Sequence, residues 1–257
     1  MPVLFLIVAT VFSALGQGGG AFYVPLLVAS GVPFHEAAAA SQSVILAVSL
    51  SSMVVFYRAG FLDGKLVLLI EPPTVLGAVL GGYSSQFISA QGGKLIFAAV
   101  IFAGAVFLLR PVVPKAEPPR RGAAYWTGTA NGEAYSVNWV ATLPLMALAG
   151  YVAGMLGIGG GLVKVPLMVA VCRIPLRVAV GSSSLMIGIT ALTGLAGQGL
   201  AGHFDARLAL PLAAAGFVGA QVGARLSLSV DKRHLQRAFG VLLLVVAVWM
   251  GHSGLRG

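Results

Sequence analysis

The sequence predicts an all-α integral membrane protein of two inverted repeats, each a glycine-broken helical hairpin followed by three transmembrane helices. Three observations carry that expectation. Hydrophobic residues make up 58% of the 257 residues and charged residues 9%, against roughly a quarter charged in soluble domains, and the mean hydropathy is +0.95. Apolar runs recur at 36–57, 66–88, 92–109, 178–200, 207–228 and 236–252, each near the roughly 20 residues that cross a bilayer. The third observation is a duplication centred on two glycine knots, GQGGGAFYVP at 16–25 and GIGGGLVKVP at 157–166. The long runs lack two-residue alternation, which excludes a porin-like barrel and leaves helices as the way to satisfy the backbone in lipid.

In chain order, the first segment is apolar and ends in small residues, but it lacks the basic stretch of a secretory signal. The first Lys or Arg is Arg58, so the segment reads as mature structure. Residues 1–110 form the first expected repeat and 139–257 the second. Between them, PVVPKAEPPRRGAAYWTGTANGEAYSVN at 111–138 is hydrophilic and reads as an exposed, largely irregular linker. The two knots are 141 positions apart. Beyond them the offset is 142: Pro33 matches Pro175, Ala37 Ala179, Ser41 Ser183, Asp63 Asp205, Gly77 Gly219, Ala78 Ala220, Gly81 Gly223 and Phe97 Phe239.

The broken segments, 2–30 and 139–172, either cross the membrane once as kinked helices or enter and return as hairpins. Charge distribution separates the two. A single crossing divides the loop Lys and Arg residues six to eight, which is no bias. Hairpins place Arg58, Lys65, Arg110, Lys115, Arg120, Arg121, Arg173, Arg177, Lys232, Arg233 and Arg237 on one side, and Lys94, Arg207 and Arg256 on the other. Eleven against three is the bias of cytoplasmic loops. Hairpins also give each repeat an odd number of crossings, so the repeats are inverted, a recurrent plan among secondary transporters. The expected location is the cell (inner or plasma) membrane, with both termini non-cytoplasmic and the 111–138 linker cytoplasmic.

The formal charge of +9 does not indicate nucleic acid, because the basic residues sit in short loops where they set topology. Cys172 is the single cysteine, so no intrachain disulfide forms, and it reads as a small buried hydrophobe. There is no metal-spaced Cys/His cluster, and neither knot ends in Gly-Lys-Ser/Thr as a nucleotide loop does. Neither metal nor cofactor is expected. No nucleophile–base constellation sits at membrane depth, which argues against an enzyme.

The knots carry the expected chemistry. Gly18, Gly19 and Gly20, and Gly159, Gly160 and Gly161, leave backbone N–H groups free where a turn opens a helix, an arrangement that favours an anion. Gly77, Gly81, Gly219 and Gly223 are assigned instead to close helix crossing. Lys164 lies one turn past the second knot, where the first copy has Tyr23. An intramembrane lysine is a functional candidate, with snorkelling to a headgroup as the alternative. Gln17, Ser41, Gln42 and Ser43, and Ser182, Ser183 and Ser184, are candidates to complete an oxyanion shell or to bond across helices. Glu71, next to Pro72 and Pro73, either couples protons or pairs with a loop cation near the surface. Arg225 reads as a snorkelling residue, and His35, Glu36, His203 and Asp205 as solvated loop groups, with titration at the entry to the pathway as the alternative.

The duplicated turn ending in Val-Pro-Leu (Gly16–Leu26 and Gly157–Leu167), the Pro/Ala stretch leading to Ser41 or Ser183, and the later Gly-Ala-x-x-Gly segments resemble the sulfite exporter TauE/SafE family of membrane transporters. The resemblance covers nearly the whole chain apart from the linker. It implies movement of a small sulfur-containing anion: sulfite, an organosulfonate such as sulfoacetate, or a thiosulfate-like compound. The expected mechanism is a secondary transporter working by alternating access; the competing expectation is an anion channel of similar architecture. The expected partners are that anion and the lipid bilayer, with a homo-oligomer admitted.

Overall fold

The computed structural model describes residues 2–15, 19–109, 122–130, 132–227 and 232–256. Its helices come in two series of the same order. Short helices α1 (Pro2–Leu15) and α2 (Gly20–Ala29) precede long α3 (Phe34–Arg58), α4 (Gly64–Ser84) and α5 (Ala90–Leu109). Likewise α6 (Trp139–Leu156) and α7 (Gly161–Ala170) precede α8 (Leu176–Leu200), α9 (Ala206–Ser227) and α10 (Lys232–Arg256). Among the described residues, α3, α4 with a short 3-10 extension, α5, α6, α8 and α9 are long and apolar enough to cross a membrane. Each long helix turns some large apolar side chains outward, such as Leu68, Leu76 and Leu80 on α4, a surface that hydrocarbon covers and water would not.

Residues matched at an offset of 142 occupy matching structural places. Pro33 and Pro175 precede α3 and α8 with φ/ψ of −55°/144° and −53°/136°, and their carbonyls accept from Ala37 and Ala179 N–H, both at 2.9 Å. Asp63 and Asp205 sit just before α4 and α9 and accept from Lys65 N–H at 2.9 Å and Arg207 N–H at 2.8 Å. These are N-caps that satisfy first-turn donors.

Packing is crosswise: α6 lies along α4 and α1 along α9, while α5 meets α10 and α3 meets α8. The glycines assigned to packing make those crossings. A Cβ added at Gly77 would lie 2.1 Å from Ala147 O, and at Gly81 1.9 Å from Tyr151 O. At Gly219 it would lie 2.3 Å from Leu6 O, and at Gly223 1.8 Å from Thr10 O. The helices approach closely because these positions carry hydrogen in place of a methyl group.

Two features differ from the sequence reading. The fold is not all-α, and the linker is not largely irregular where it is described. Strands β1 (Tyr125–Ala130) and β2 (Glu133–Asn138) form an antiparallel hairpin, with Tyr125 opposite Asn138 and Ala130 opposite Glu133. Alternation in YWTGTA and EAYSVN carries this pairing, with Tyr135 and Val137 buried in the same cluster as Leu66, Val169 and Ile174. The Tyr135 hydroxyl donates to Asp63 Oδ2, and burial together with this partner raises its pKa above the ordinary phenol range. The second difference is α6, which at 18 residues is longer than a half-membrane arm. It begins directly where β2 ends, with Asn138 accepting from Ala141 N–H at 3.3 Å.

Candidate functional site

The pairs α1–α2 and α6–α7 each break at a glycine turn, and the described parts of the two turns meet. Gly19 and Gly160 are left-handed N-caps of α2 and α7, with φ of 83° and 80°, and Gly157 and Gly159 are left-handed too, with φ of 73° and 67°. A Cβ on Gly20 would come within 2.7 Å of the Ile158 backbone, and one on Gly159 within 2.5 Å of Ile45. Ile45, near the middle of α3, is thus held between the two turns. Gln17 and Gly18 lie outside the described residues.

A helix that stops inside the bundle leaves its last carbonyls without partners, and three polar side chains satisfy those of α6. Gln42 Nε2 donates to Gly154 O at 2.7 Å and Ala153 O at 3.3 Å, and Ser41 Oγ to Gly157 O at 2.8 Å. From α8, Gln198 Nε2 donates to Gly154 O at 3.2 Å and Met155 O at 3.1 Å. Of the two expectations for Ser41 and Gln42, the structure shows bonding across helices: their donors serve the broken end of α6. The remaining polar atom of Gln42, Oε1, has no partner, and as an acceptor it does not suit an anion. Ser183 and Ser184 donate to Val180 O at 2.9 Å and Gly181 O at 2.6 Å, the back-bonding pattern of a hydroxyl on its own helix. Gln198 was not singled out by the sequence, where it is one polar residue near the end of a long apolar run.

Lys164 is 0% exposed, so the snorkelling alternative does not hold. Its stem passes over Gly160, where an added Cβ would lie 3.3 Å from Lys164 Cε. Its Nζ donates to Glu71 Oε2 at 2.8 Å and Oε1 at 3.1 Å, to Met186 O at 3.3 Å and to the Thr190 hydroxyl. Thr190 passes its own proton to Glu71 Oε1 at 2.7 Å. The loop-cation alternative for Glu71 does not hold, since its partner is this buried lysine on α7 rather than a loop residue. The acid sits two turns into α4, while Met186 and Thr190 lie near the middle of α8. All three Lys164 protons and the Thr190 proton have acceptors, as a charge pair away from water requires.

This cluster is one-sided. At the positions offset by 141 or 142, Lys164 becomes Tyr23, Glu71 becomes Ala213, Met186 becomes Val44 and Thr190 becomes Val48. The Tyr23 ring stacks on Phe5 with centroids 4.9 Å apart, and its buried hydroxyl has no partner. A groove of about 410 Å³ reaches Glu71 from the side, lined by Val67, Leu68, Pro72, Val75, Leu76 and Ile189. Pro72 and Pro73 remove N–H groups from α4 at this place.

The remaining candidates are structural or peripheral. His35 and His203 are not simply solvated: their rings stack with centroids 4.8 Å apart. His203 Nδ1 lies 3.0 Å from Gln198 Oε1, which assigns the proton to Nδ1. Burial lowers the His203 pKa, and Glu36 opposes the change. Arg225 is exposed. Cys172 is buried, 3.2 Å from the Thr142 hydroxyl; burial raises its pKa and that contact partly offsets the rise.

Helices broken by glycine turns that meet inside an apolar bundle, beside a buried charge pair, define a class of membrane transporters rather than a catalytic centre. Curated relatives agree: the "Probable membrane transporter protein YunE" of Bacillus subtilis (strain 168) is 26% identical over 99% of this chain and 97% of its own length. A "Probable membrane transporter protein" of Xylella fastidiosa (strain Temecula1 / ATCC 700964) is 25% identical over 92% of this chain and 88% of its own, and the "Probable membrane transporter protein YdhB" of Bacillus subtilis (strain 168) 26% over 94% and 98%. The chain belongs to the Sulfite exporter TauE/SafE family, whose profile matches residues 1–250. No solved structure matches it.

Proposed function

We propose that this protein is a secondary transporter of a small sulfur oxyanion such as sulfite, a sulfonate or a thiosulfate-like compound, with its binding site at Lys164. The observation that carries this reading is a fully buried lysine on the first turn of a helix opened by Gly159, Gly160 and Gly161. A cation at the opening turn of a helix, where the dipole favours negative charge, is the arrangement an oxyanion selects, and Thr190 supplies a hydroxyl within reach of the same ammonium. Tyr23 faces the junction from the other series. The sulfur chemistry of the anion rests on family membership.

Alternating access follows from two inverted halves, residues 1–110 and 139–257, rocking about the junction of their turns. The crosswise packing of α6 on α4 and α1 on α9 supports a two-fold relation between the halves, and the eleven-to-three charge division supports inversion. A reporter fused within 115–135 should then read cytoplasmic and one at residue 257 external; finding both on one side defeats the inverted arrangement.

The test of function is a panel of sulfite, thiosulfate, sulfoacetate, taurine and sulfate given to the purified protein. At least one should raise its melting temperature in detergent and show saturable counterflow in proteoliposomes. Conductive flux without counterflow would make the protein a channel.

A further inference from the structure

Resting on the site just proposed, we infer that each anion is carried together with one proton, taken up by Glu71 when the anion displaces it from Lys164. The ammonium of Lys164 is not free to receive a ligand. Its donors are already divided between both oxygens of Glu71, the Met186 carbonyl and the Thr190 hydroxyl. An anion therefore binds by exchange, taking the place of the Glu71 carboxylate.

What becomes of that carboxylate is decided by its neighbours. The charged or titratable side chain facing it is Lys164 from α7, and α8 offers the Thr190 hydroxyl and the Met186 carbonyl. The only Asp, Glu, Lys, Arg or His on α8 is Arg177, which lies over the Phe61 ring at the far end. The helix α6, which runs along α4, carries none of these, and the hydroxyl of its Tyr151 meets Ser84 at 2.8 Å, at the opposite end of α4. The space into which Glu71 can turn is the groove walled by Val67, Leu68, Pro72, Val75, Leu76 and Ile189. An ionised carboxylate without a partner in such surroundings is costly, and the neutral acid is not. The displaced group accordingly takes a proton from the water that reaches the open site with the anion, Glu71-COO⁻ + H⁺ → Glu71-COOH, while Lys164 stays an ammonium.

The charge balance closes on both halves of the cycle. The empty site holds Lys164⁺ and Glu71⁻. Loaded with a monoanion it holds Lys164⁺, the anion and neutral Glu71, again with no net charge. Both forms can cross the apolar interior of the protein, whereas a loaded form with ionised Glu71 would carry an uncompensated negative charge. Release of the anion lets Glu71 return to Lys164 and give up its proton on the same side. The second half of the chain supplies the lysine, the first half the acid, and the counterpart positions Tyr23 and Ala213 hold neither charge, so one proton accompanies one anion.

The test uses full-length protein in proteoliposomes with trapped pyranine, voltage clamped at zero by potassium and valinomycin, and methanesulfonate, a permanent monoanion added to the panel, as probe. Wild-type protein should acidify the interior by one proton per anion entering, and an inside-alkaline gradient of about one pH unit should accumulate the anion about tenfold. Glu71→Gln should carry no proton with the anion it moves and lose that accumulation. Wild-type counterflow without proton movement overturns this inference and leaves the carrier reading standing. Proton movement of wild-type stoichiometry in Glu71→Gln overturns it too. Absence of both binding and counterflow in the wild type for every anion of the panel overturns both readings. The proton count in the wild type needs no variant, so an unstable Glu71→Gln protein does not block the decision.

Discussion

Lys164→Met is expected to lower the thermal stability of the purified protein and stop anion counterflow, and adding Glu71→Gln to return most of the stability but none of the counterflow. The first effect follows from the pair's isolation. Removing the ammonium leaves Glu71, 4% exposed, with the Thr190 hydroxyl at 2.7 Å as its remaining partner. Breaking a buried ion pair from one side costs about 3 to 5 kcal/mol. Neutralising the acid as well removes the cost of holding an unpaired charge or taking up a proton, and the amide can still bond Thr190, so the double variant recovers. The second effect has a separate cause, since neither variant has a cation to offer the anion. Melting curves in detergent and counterflow in proteoliposomes read the two effects independently. A single variant that keeps wild-type stability, or a double variant that transports, would remove the pair from the site.

Gly81→Ala should destabilise the protein by about 1 to 3 kcal/mol, while Gly199→Ala should leave its melting temperature unchanged or slightly raised. The substitutions are chemically identical and differ in what the new methyl group meets. At Gly81 it would lie 1.9 Å from the Tyr151 carbonyl oxygen, and at Gly199 nothing lies within 4 Å. Backbone cannot swing aside as a flexible side chain can, so α4 and α6 would have to separate. That movement also shifts the platform carrying Glu71, so transport should fall with stability. Gly223→Ala, 1.8 Å from Thr10 O, should behave like Gly81→Ala because it makes the corresponding crossing of α9 on α1. Equal melting temperatures for Gly81→Ala and Gly199→Ala would show that the close crossings are not a source of stability.

Much of the fold was legible because apolar length and glycine placement are local properties. The long runs became helices, the paired Pro33 and Pro175 and the paired Asp63 and Asp205 became helix starts, and the Gly-Ala-x-x-Gly segments became crossings. The β-hairpin was missed because a hydrophilic stretch with Pro, Gly and charges reads as loop. Its strands form where Tyr135 and Val137 find a buried surface supplied by residues far away in the chain. In the site, Lys164 was legible as an unusual residue, but its partner was not. Glu71 and Lys164 are 93 positions apart, and nothing in either segment marks the other. Ser41 and Gln42 stood out as polar residues in an apolar run, yet only contact with the broken end of α6 shows that they cap carbonyls.

The sequence by itself determined that this protein lives in a membrane, that its helices repeat in order, and that each series is interrupted by glycine, because hydropathy, periodicity and backbone freedom are written residue by residue. Only the tertiary structure decided that the one buried lysine among the described residues is already neutralised, by which acid, and that the counterpart place holds neither charge. Burial and charge pairing are properties of neighbours in space, and in a helical bundle those neighbours come from segments whose separation along the chain carries no signal.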